Sequence, residues 1–286
     1  MNELLSAYPP APERLPSPVT DNHTHLDHVR GEGEGVFPDE STVAELIERA
    51  KSVNVHRMVQ IGCDLAAARW TVQAVDRHEE LLGGVALHPT EATKHHEAGT
   101  FESAWQEIEE LAGHERVRVV GETGLDHYWV DDAKGRLAQE ESFRRHIDLA
   151  KRTGKVLQIH DRDAHDDVIR ILNDEKAPEK TVFHCFSGDE PMARYCVEQG
   201  WYLSFAGTVT FKNAHASRAA LAAVPPEFVL IETDAPYLTP VPFRGKPNAS
   251  YLIPHSLRVV ADVTQRDVAQ VCAQLEATTQ AVYGAW

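Results

Sequence analysis

The sequence predicts an α/β fold, a single-domain (β/α)8 TIM barrel behind a short proline-rich arm. Three observations predict it: eight short apolar runs, amphipathic segments between them, and acidic or imidazole side chains where the runs end. Short apolar runs alternating with helical segments are the pattern of parallel strands buried on both faces. Eight of them suit a closed barrel. An open doubly wound sheet of similar length is the alternative, and the polar run ends favour the barrel.

The arm covers residues 1–18 and carries Pro9, Pro10, Pro12, Pro16 and Pro18. Proline lacks a backbone donor, so this stretch reads as irregular, lying on the body or left loose. The barrel follows over residues 19–286. Its strands are expected at Val19–His23, Val55–Gly62, Leu82–His88, Val117–Gly121, Val156–His160, Thr181–Phe186, Trp201–Phe205 and Phe228–Glu232. The first helix opens near Ser41, a cap-like residue with acidic neighbours. Further helices are expected at Leu65–His78, Phe101–Leu111, Leu137–Arg152, Ala164–Leu172 and Met192–Gln199. A less regular one near Asn213–Ala222 precedes Pro254–Asp262 and Asp267–Val282. Phe143, Ile147 and Ala150 illustrate the helical spacing, with charges between them.

Composition narrows the class. The chain has 286 residues, 42% of them apolar and 25% charged, which suits a soluble globular protein and excludes a disordered or fibrous one. No window holds the ~18 unbroken apolar residues of a membrane helix. The first residues show no basic region followed by an apolar run, so no secretory signal is expected. Four scattered cysteines, Cys63, Cys185, Cys196 and Cys272, suit reduced thiols and a cytoplasmic location. The formal charge of −16 argues against a broad basic groove for nucleic acid. It leaves room for a small site where metal ions and a few arginines offset the local charge. A monomer is expected. The 16 histidines direct attention to metal binding.

Where the strands end, the chemistry gathers. The first runs into Asp21-Asn22-His23-Thr24-His25, and residues two apart on a strand share a face. His23 and His25 can therefore reach one ion. The fourth runs into Gly121-Glu122-Thr123-Gly124-Leu125-Asp126; a glutamate there is costly to bury unless it meets a cation. The fifth ends at His160, the sixth at His184 and the eighth at Asp234. Singly, each has an ordinary reading: a hydrogen-bonded core histidine, an ion-pair partner, a helix cap. Six such residues at five strand ends on one face are hard to explain as independent accidents. Four imidazoles and two carboxylates suit Zn, Mn, Ni, Co or Fe, with Mg less natural. Six ligands exceed what one catalytic ion needs, so two divalent metal ions are expected, about 3.5–4 Å apart, with Glu122 as the bridge.

These residues resemble the TatD family of metal-dependent deoxyribonucleases, within the amidohydrolase-like barrel superfamily. The resemblance spans residues 19–286 and rests on DNHTHLD (21–27), GETGLD (121–126), IHDRDAHDD (159–167), FHCFSG (183–188) and ETDAPYL (232–238). It implies that His23, His25, Glu122 and Asp234 hold one ion, and that Glu122, His160 and His184 hold the other. It implies that Arg162 contacts a substrate phosphate and that Asp234 is a general base. The chain departs from the family at Asn22, at Val156 and at Ala249-Ser250, where the family's loop has Glu-Pro. The last departure bears on specificity and leaves the metal ligands untouched.

The activity implied is hydrolysis of a phosphodiester in DNA, most specifically a 3′→5′ exonuclease on single-stranded ends. The first alternative is a hydrolase of carboxylic esters or amides, such as an aminoacyl-tRNA ester. Related barrels that cleave amides often bridge their ions with a carboxylated lysine at the fourth strand. Here Glu122 stands there, and no lysine lies between it and Asp132. The second alternative is a non-catalytic metal-holding scaffold, which a clustered set of cysteines would favour and these cysteines do not. Cys185 reads as packing filler, because adjacent strand residues point oppositely. His88 reads as pocket lining or core, His255 as surface, and His95-His96 as solvated. His127, Tyr128 and Trp129 could stack on a base, but a cover over the barrel rim is the simpler reading. Asp126 is expected to orient a ligand.

Overall fold

The structure, a computed structural model, describes residues 3–28 and 37–286. The first two residues of the expected arm lie outside the described residues. Eight parallel strands run in one sheet in sequence order. They are β1 (Val19–Thr24), β2 (Val55–Gly62), β3 (Leu81–Val85), β4 (Val117–Asp126), β5 (Val156–Arg162), β6 (Thr181–Phe183), β7 (Tyr202–Phe205) and β8 (Val229–Ile231). The helices are α1 (Glu40–Ser52), α2 (Leu65–Arg77), α3 (Pro89–Ala98), α4 (Phe101–Ala112), α5 (Ala133–Thr153), α6 (His165–Glu175), α7 (Glu190–Glu198), α8 (His215–Ala223), α9 (Ile253–Thr264) and α10 (Val268–Tyr283). This alternation is the (β/α)8 fold that the sequence predicts.

Aspartate starts many of these helices. Asp39, Asp64, Asp132, Asp189 and Asp267 each accept a backbone N–H of the first turn, which satisfies a donor that the helix itself leaves open. At α1 the cap is therefore Asp39 and not Ser41, which lies in the first turn and whose hydroxyl donates to Asp39 at 2.9 Å. Helix α3 is absent from the expected elements. Its signal is Pro89 just inside the start, where a missing N–H costs nothing.

Two compact units make up the chain. The first comprises the chain up to Gln60 and Gly188–Trp286. Its core includes Val19, Met58, Leu203, Phe205, Leu230, Ile231, Tyr251 and Cys272. The backbone beyond β8 reaches β1: Asp234 N donates to His23 O at 2.9 Å, and His25 N donates to Ala235 O at 2.7 Å. The arm packs on this unit. Leu5, Tyr8 and Leu15 are buried, and Glu3–Ala7 form a short 3-10 turn. The Tyr251 hydroxyl donates to Pro9 O at 2.5 Å and Asn54 Nδ2 to Leu15 O at 2.6 Å. Of the two readings of the arm, the structure takes the one in which it lies on the body.

The second unit is Ile61–Ser187. Strand β4 is longer than expected because its partner carries it onward. Pairing with β5 continues through Gly124↔His160 to Asp126↔Arg162. Strand β6 is shorter than expected and stops at Phe183; Cys185 beyond it sits at φ 42. His184 and Cys185 therefore lie in a turn, and the strand alternation used to read Cys185 as filler does not apply to it.

His146, fully buried on α5, shows what holds this unit together. Its Nδ1–H donates to Ser142 O at 2.8 Å, and its Nε2 accepts from Leu87 N at 3.2 Å just beyond β3. Burial pushes its pKa down to about 4, below the ordinary 6.5. The folded state thus binds fewer protons than the unfolded state between those values. The stability it contributes is present above about pH 6.5 and is lost as pH falls toward 4. His146→Leu leaves the Leu87 N–H unpaired and is expected to cost about 1–3 kcal/mol at pH 7.5. In urea unfolding, that cost should shrink as pH drops toward 4. A cost that is independent of pH would contradict this account.

Candidate metal centre

In the first unit, three donors from two strand ends converge. His23 and His25 are both buried and lie two residues apart at the end of β1. Their Nε2 atoms are 3.2 Å apart. Asp234, three residues past β8, brings Oδ1 to 3.3 Å from His25 Nε2 and 3.7 Å from His23 Nε2. Asp234 takes a left-handed backbone conformation, φ 54, which is uncommon for a residue with a side chain. Its neighbours hold it there. Thr233 donates from its backbone N (2.9 Å) and its hydroxyl (2.5 Å) to buried Asp21, and Asn248 Nδ2 donates to Thr233 O at 2.9 Å. Burial pushes the Asp21 carboxyl up to about 7, against those hydrogen bonds. Asn22 points elsewhere, its Nδ2 donating to Ile231 O at 2.8 Å, so the departure at that position spares the donor set.

In the second unit, Glu122 on β4 gathers three partners. His184 Nε2 lies 2.6 Å and His160 Nδ1 3.0 Å from the same oxygen, Oε2. The Cys63 thiol donates to the other oxygen at 3.2 Å. Burial alone would raise the Glu122 carboxyl, but the His184 and His160 imidazoles outweigh it and hold it well below the usual range. Burial alone would lower the His160 imidazole, but its bonds to Asp126 and Glu122 win and raise it. Asp126 Oδ2 lies 3.0 Å from His160 Nε2 and so fixes the ring, as expected for an orienting residue.

Electron-rich atoms that approach this closely in buried surroundings fit a cation. Two imidazole nitrogens and one carboxylate oxygen within reach of a common point make a mixed N/O set of the kind that holds a first-row divalent ion. In the second unit the donor atoms of His88, Asp126 and His160 lie within 4.8 Å of one another, while His160 and His184 each approach one oxygen of Glu122. Of these residues, His23, His25, Glu122, His160, His184 and Asp234 are the ones that the sequence singles out as candidate donors.

Other residues were less visible. Cys63 sits one residue past β2, a strand end like the others, but a lone cysteine gave no spacing to notice. His88 caps α3 and brings Nε2 to 3.4 Å from His160 Nδ1; burial, and then His160, push its pKa down to about 3, so it stays neutral. His88 therefore belongs with the polar groups around His160. His95 and His96 are half-buried on α3, and His96 stacks on Phe101 with centroids 4.0 Å apart, so neither is simply solvated. Arg162 is exposed, with its guanidinium over the Tyr128 ring at 4.1 Å. Tyr128 and Trp129 are 56% and 66% exposed.

Known proteins resemble this chain in sequence and fold. The family described as "TatD related DNase" matches residues 20–284. An uncharacterized metal-dependent hydrolase TatD from Mycobacterium tuberculosis is 42% identical over 269 residues, which cover 93% of this chain and 98% of that protein. An uncharacterized metal-dependent hydrolase, YabD, from Bacillus subtilis is 35% identical, covering 88% and 94%. Among solved structures, the TatD homologue YjjV from Escherichia coli matches with a TM-score of 0.84 at 22% identity, covering 94% of this chain and 98% of that one. A TatD family hydrolase from Entamoeba histolytica matches at 0.80 and 16%, covering 94% and 99%.

Gly124 shows how tightly the second donor set is built. It sits at φ 142, a conformation that side chains rarely adopt, and a Cβ there would run into the His160 carbonyl oxygen. Gly154, at φ 66 after α5, has open space around it. Gly154→Ala is expected to cost about 1–2 kcal/mol. Gly124→Ala should cost about 3 kcal/mol or more, because backbone strain and overpacking add. Thermal unfolding of both variants checks this, and equal costs would refute it.

Proposed function

This chain belongs to the TatD family of metal-dependent hydrolases, and from that premise we propose that it cleaves phosphodiesters at DNA strand ends, as a 3′→5′ exonuclease. The observation that carries the reading is the pair of donor groups, His23–His25–Asp234 and Glu122–His160–His184, most of them buried. In this reading each set holds one divalent ion. Bound ions of this type bring the pKa of a water toward neutrality and stabilise charge on phosphoryl oxygens.

The chain's own groups do the rest. Asp234 carries the one carboxylate of its set and is partly open to solvent, with 14% of its side chain exposed. It accepts the proton of the attacking water. Oxygen attacks phosphorus, the P–O3′ bond breaks, and the departing O3′ takes a proton from solvent. Arg162, whose plane is set by the Tyr128 ring, donates to a phosphoryl oxygen. Asp126 keeps His160 in one orientation throughout.

An acidic chain fits such a substrate if few phosphates are gripped at once. A strand end presented to a compact site satisfies that condition. All four cysteines are thiols, which supports the proposal of a reducing, cytoplasmic setting. Among the described residues, no helix is long and apolar enough to cross a membrane.

The test is release of mononucleotides from a single-stranded DNA oligomer by protein of known metal content, with Mg, Mn, Zn or Co supplied. Chelator should abolish release. Asp234→Asn should lower kcat by about 10²–10⁴-fold, and Asp126→Asn should weaken metal binding by about 10–100-fold in a titration. No cleavage by metal-loaded protein, or turnover of a carboxylic ester in place of DNA, would overturn the reading.

A further inference from the structure

We propose that Tyr128, Trp129 and Arg162 form a platform on which the terminal base of the DNA strand stacks while Arg162 meets the adjoining phosphate. The proposal rests on the phosphodiesterase reading and says how the strand end is held. Two large aromatic side chains, neighbours in sequence, stand in solvent at 56% and 66% exposure. Side by side, they present a contiguous apolar surface of the kind that a ligand covers. The two rings meet edge to face, with centroids 4.9 Å apart at 87°. Arg162 lies across both, 4.1 Å from the Tyr128 centroid and 5.6 Å from that of Trp129.

A guanidinium stacked in this way keeps its N–H donors in its own plane, where they match the fork of a phosphate. Among the described residues, no ion pair occupies it. Aromatic faces and arginine planes accept any base, because every base has a π face. A phosphate donor beside a stacking surface selects a nucleotide over a simple aromatic ligand. The net charge of −16 gives the same answer from another direction, since contact with a polyanion must then rely on short-range stacking.

The backbone ties this platform to the donor set. The β4–β5 ladder runs to Asp126↔Arg162, two residues beyond His160, and His127 N donates to Arg162 O at 2.9 Å. Asp126 then divides its carboxylate. Oδ1 accepts from Tyr128 N at 3.0 Å and Trp129 N at 2.8 Å, while Oδ2 lies 3.0 Å from His160 Nε2. One side chain therefore sets the distance between the stacking surface and a metal donor. A base on the platform would hold its phosphate at a constant offset from His160, whatever the base.

The experiment uses two single-stranded oligomers that differ only in an abasic residue at the 3′ end. Wild-type protein should show a KM about tenfold lower for the intact end. Trp129→Ala should remove that difference with kcat little changed, and Trp129→Phe should restore part of it. Equal KM values in the wild type, or equal slowing of both oligomers by Trp129→Ala, would overturn the platform while the phosphodiesterase reading stands. If neither oligomer is cut, the activity fails but the platform is still decided. Fluorescence anisotropy should show tighter binding of the intact end by wild type alone, and equal binding would refute it.

Discussion

Burying Glu122 at the end of an apolar strand removes a charge from water, and only opposite charge nearby can offset that cost. Its partners lie at 2.6 Å and 3.0 Å, two imidazoles aimed at one oxygen. Much else in the second unit follows from keeping them there. His160 must be oriented, so Asp126 holds its far nitrogen. Asp126 must itself be fixed, so its backbone N–H donates to Gln139 Oε1 at 3.0 Å, and Gln139 Nε2 donates back to Asp126 O. The glycines of this stretch follow from the same crowding: a side chain at Gly124 would displace the His160 backbone.

The first unit solves the corresponding problem with backbone. His23 at the end of β1 and His25 just past it lie close together in the chain, but Asp234 comes from a segment over 200 residues away in sequence. Two main-chain hydrogen bonds join that segment to β1, and buried Asp21 grips Thr233 beside it. Asp234 can occupy its left-handed conformation because these contacts, with Asn248 behind Thr233, over-determine its position. The loop that departs from the family at Ala249 and Ser250 keeps Asn248 in this supporting place.

Polar residues around the donors thus fall into two kinds. His146 and His88 are buried imidazoles held neutral, and they satisfy backbone and hydroxyl groups. Glu122 and His160 lean the other way, the carboxyl held low by the neighbouring imidazoles and the imidazole raised by its bonds to Asp126 and Glu122. Residue type alone does not separate these roles. Whether a carboxylate lies close enough to outweigh burial does.

The fold class and the six residues proposed as donors were legible because both depend on local pattern. A buried parallel strand must be apolar, and a functional group of such a fold must follow it, so run and polar end stand side by side in the chain. Pro89 at the start of α3 and Asp39 ahead of Ser41 are equally local marks, weaker only because a single residue carries each. What the tertiary structure alone decided involves partners distant in sequence. Cys63 reaches Glu122, α5 sends His146 back to Leu87, and Arg162 lies over Tyr128. The exposure of Tyr128 and Trp129 belongs here too. An aromatic pair after a turn has the same sequence whether it covers a core or faces water, because burial depends on what the rest of the chain places against it.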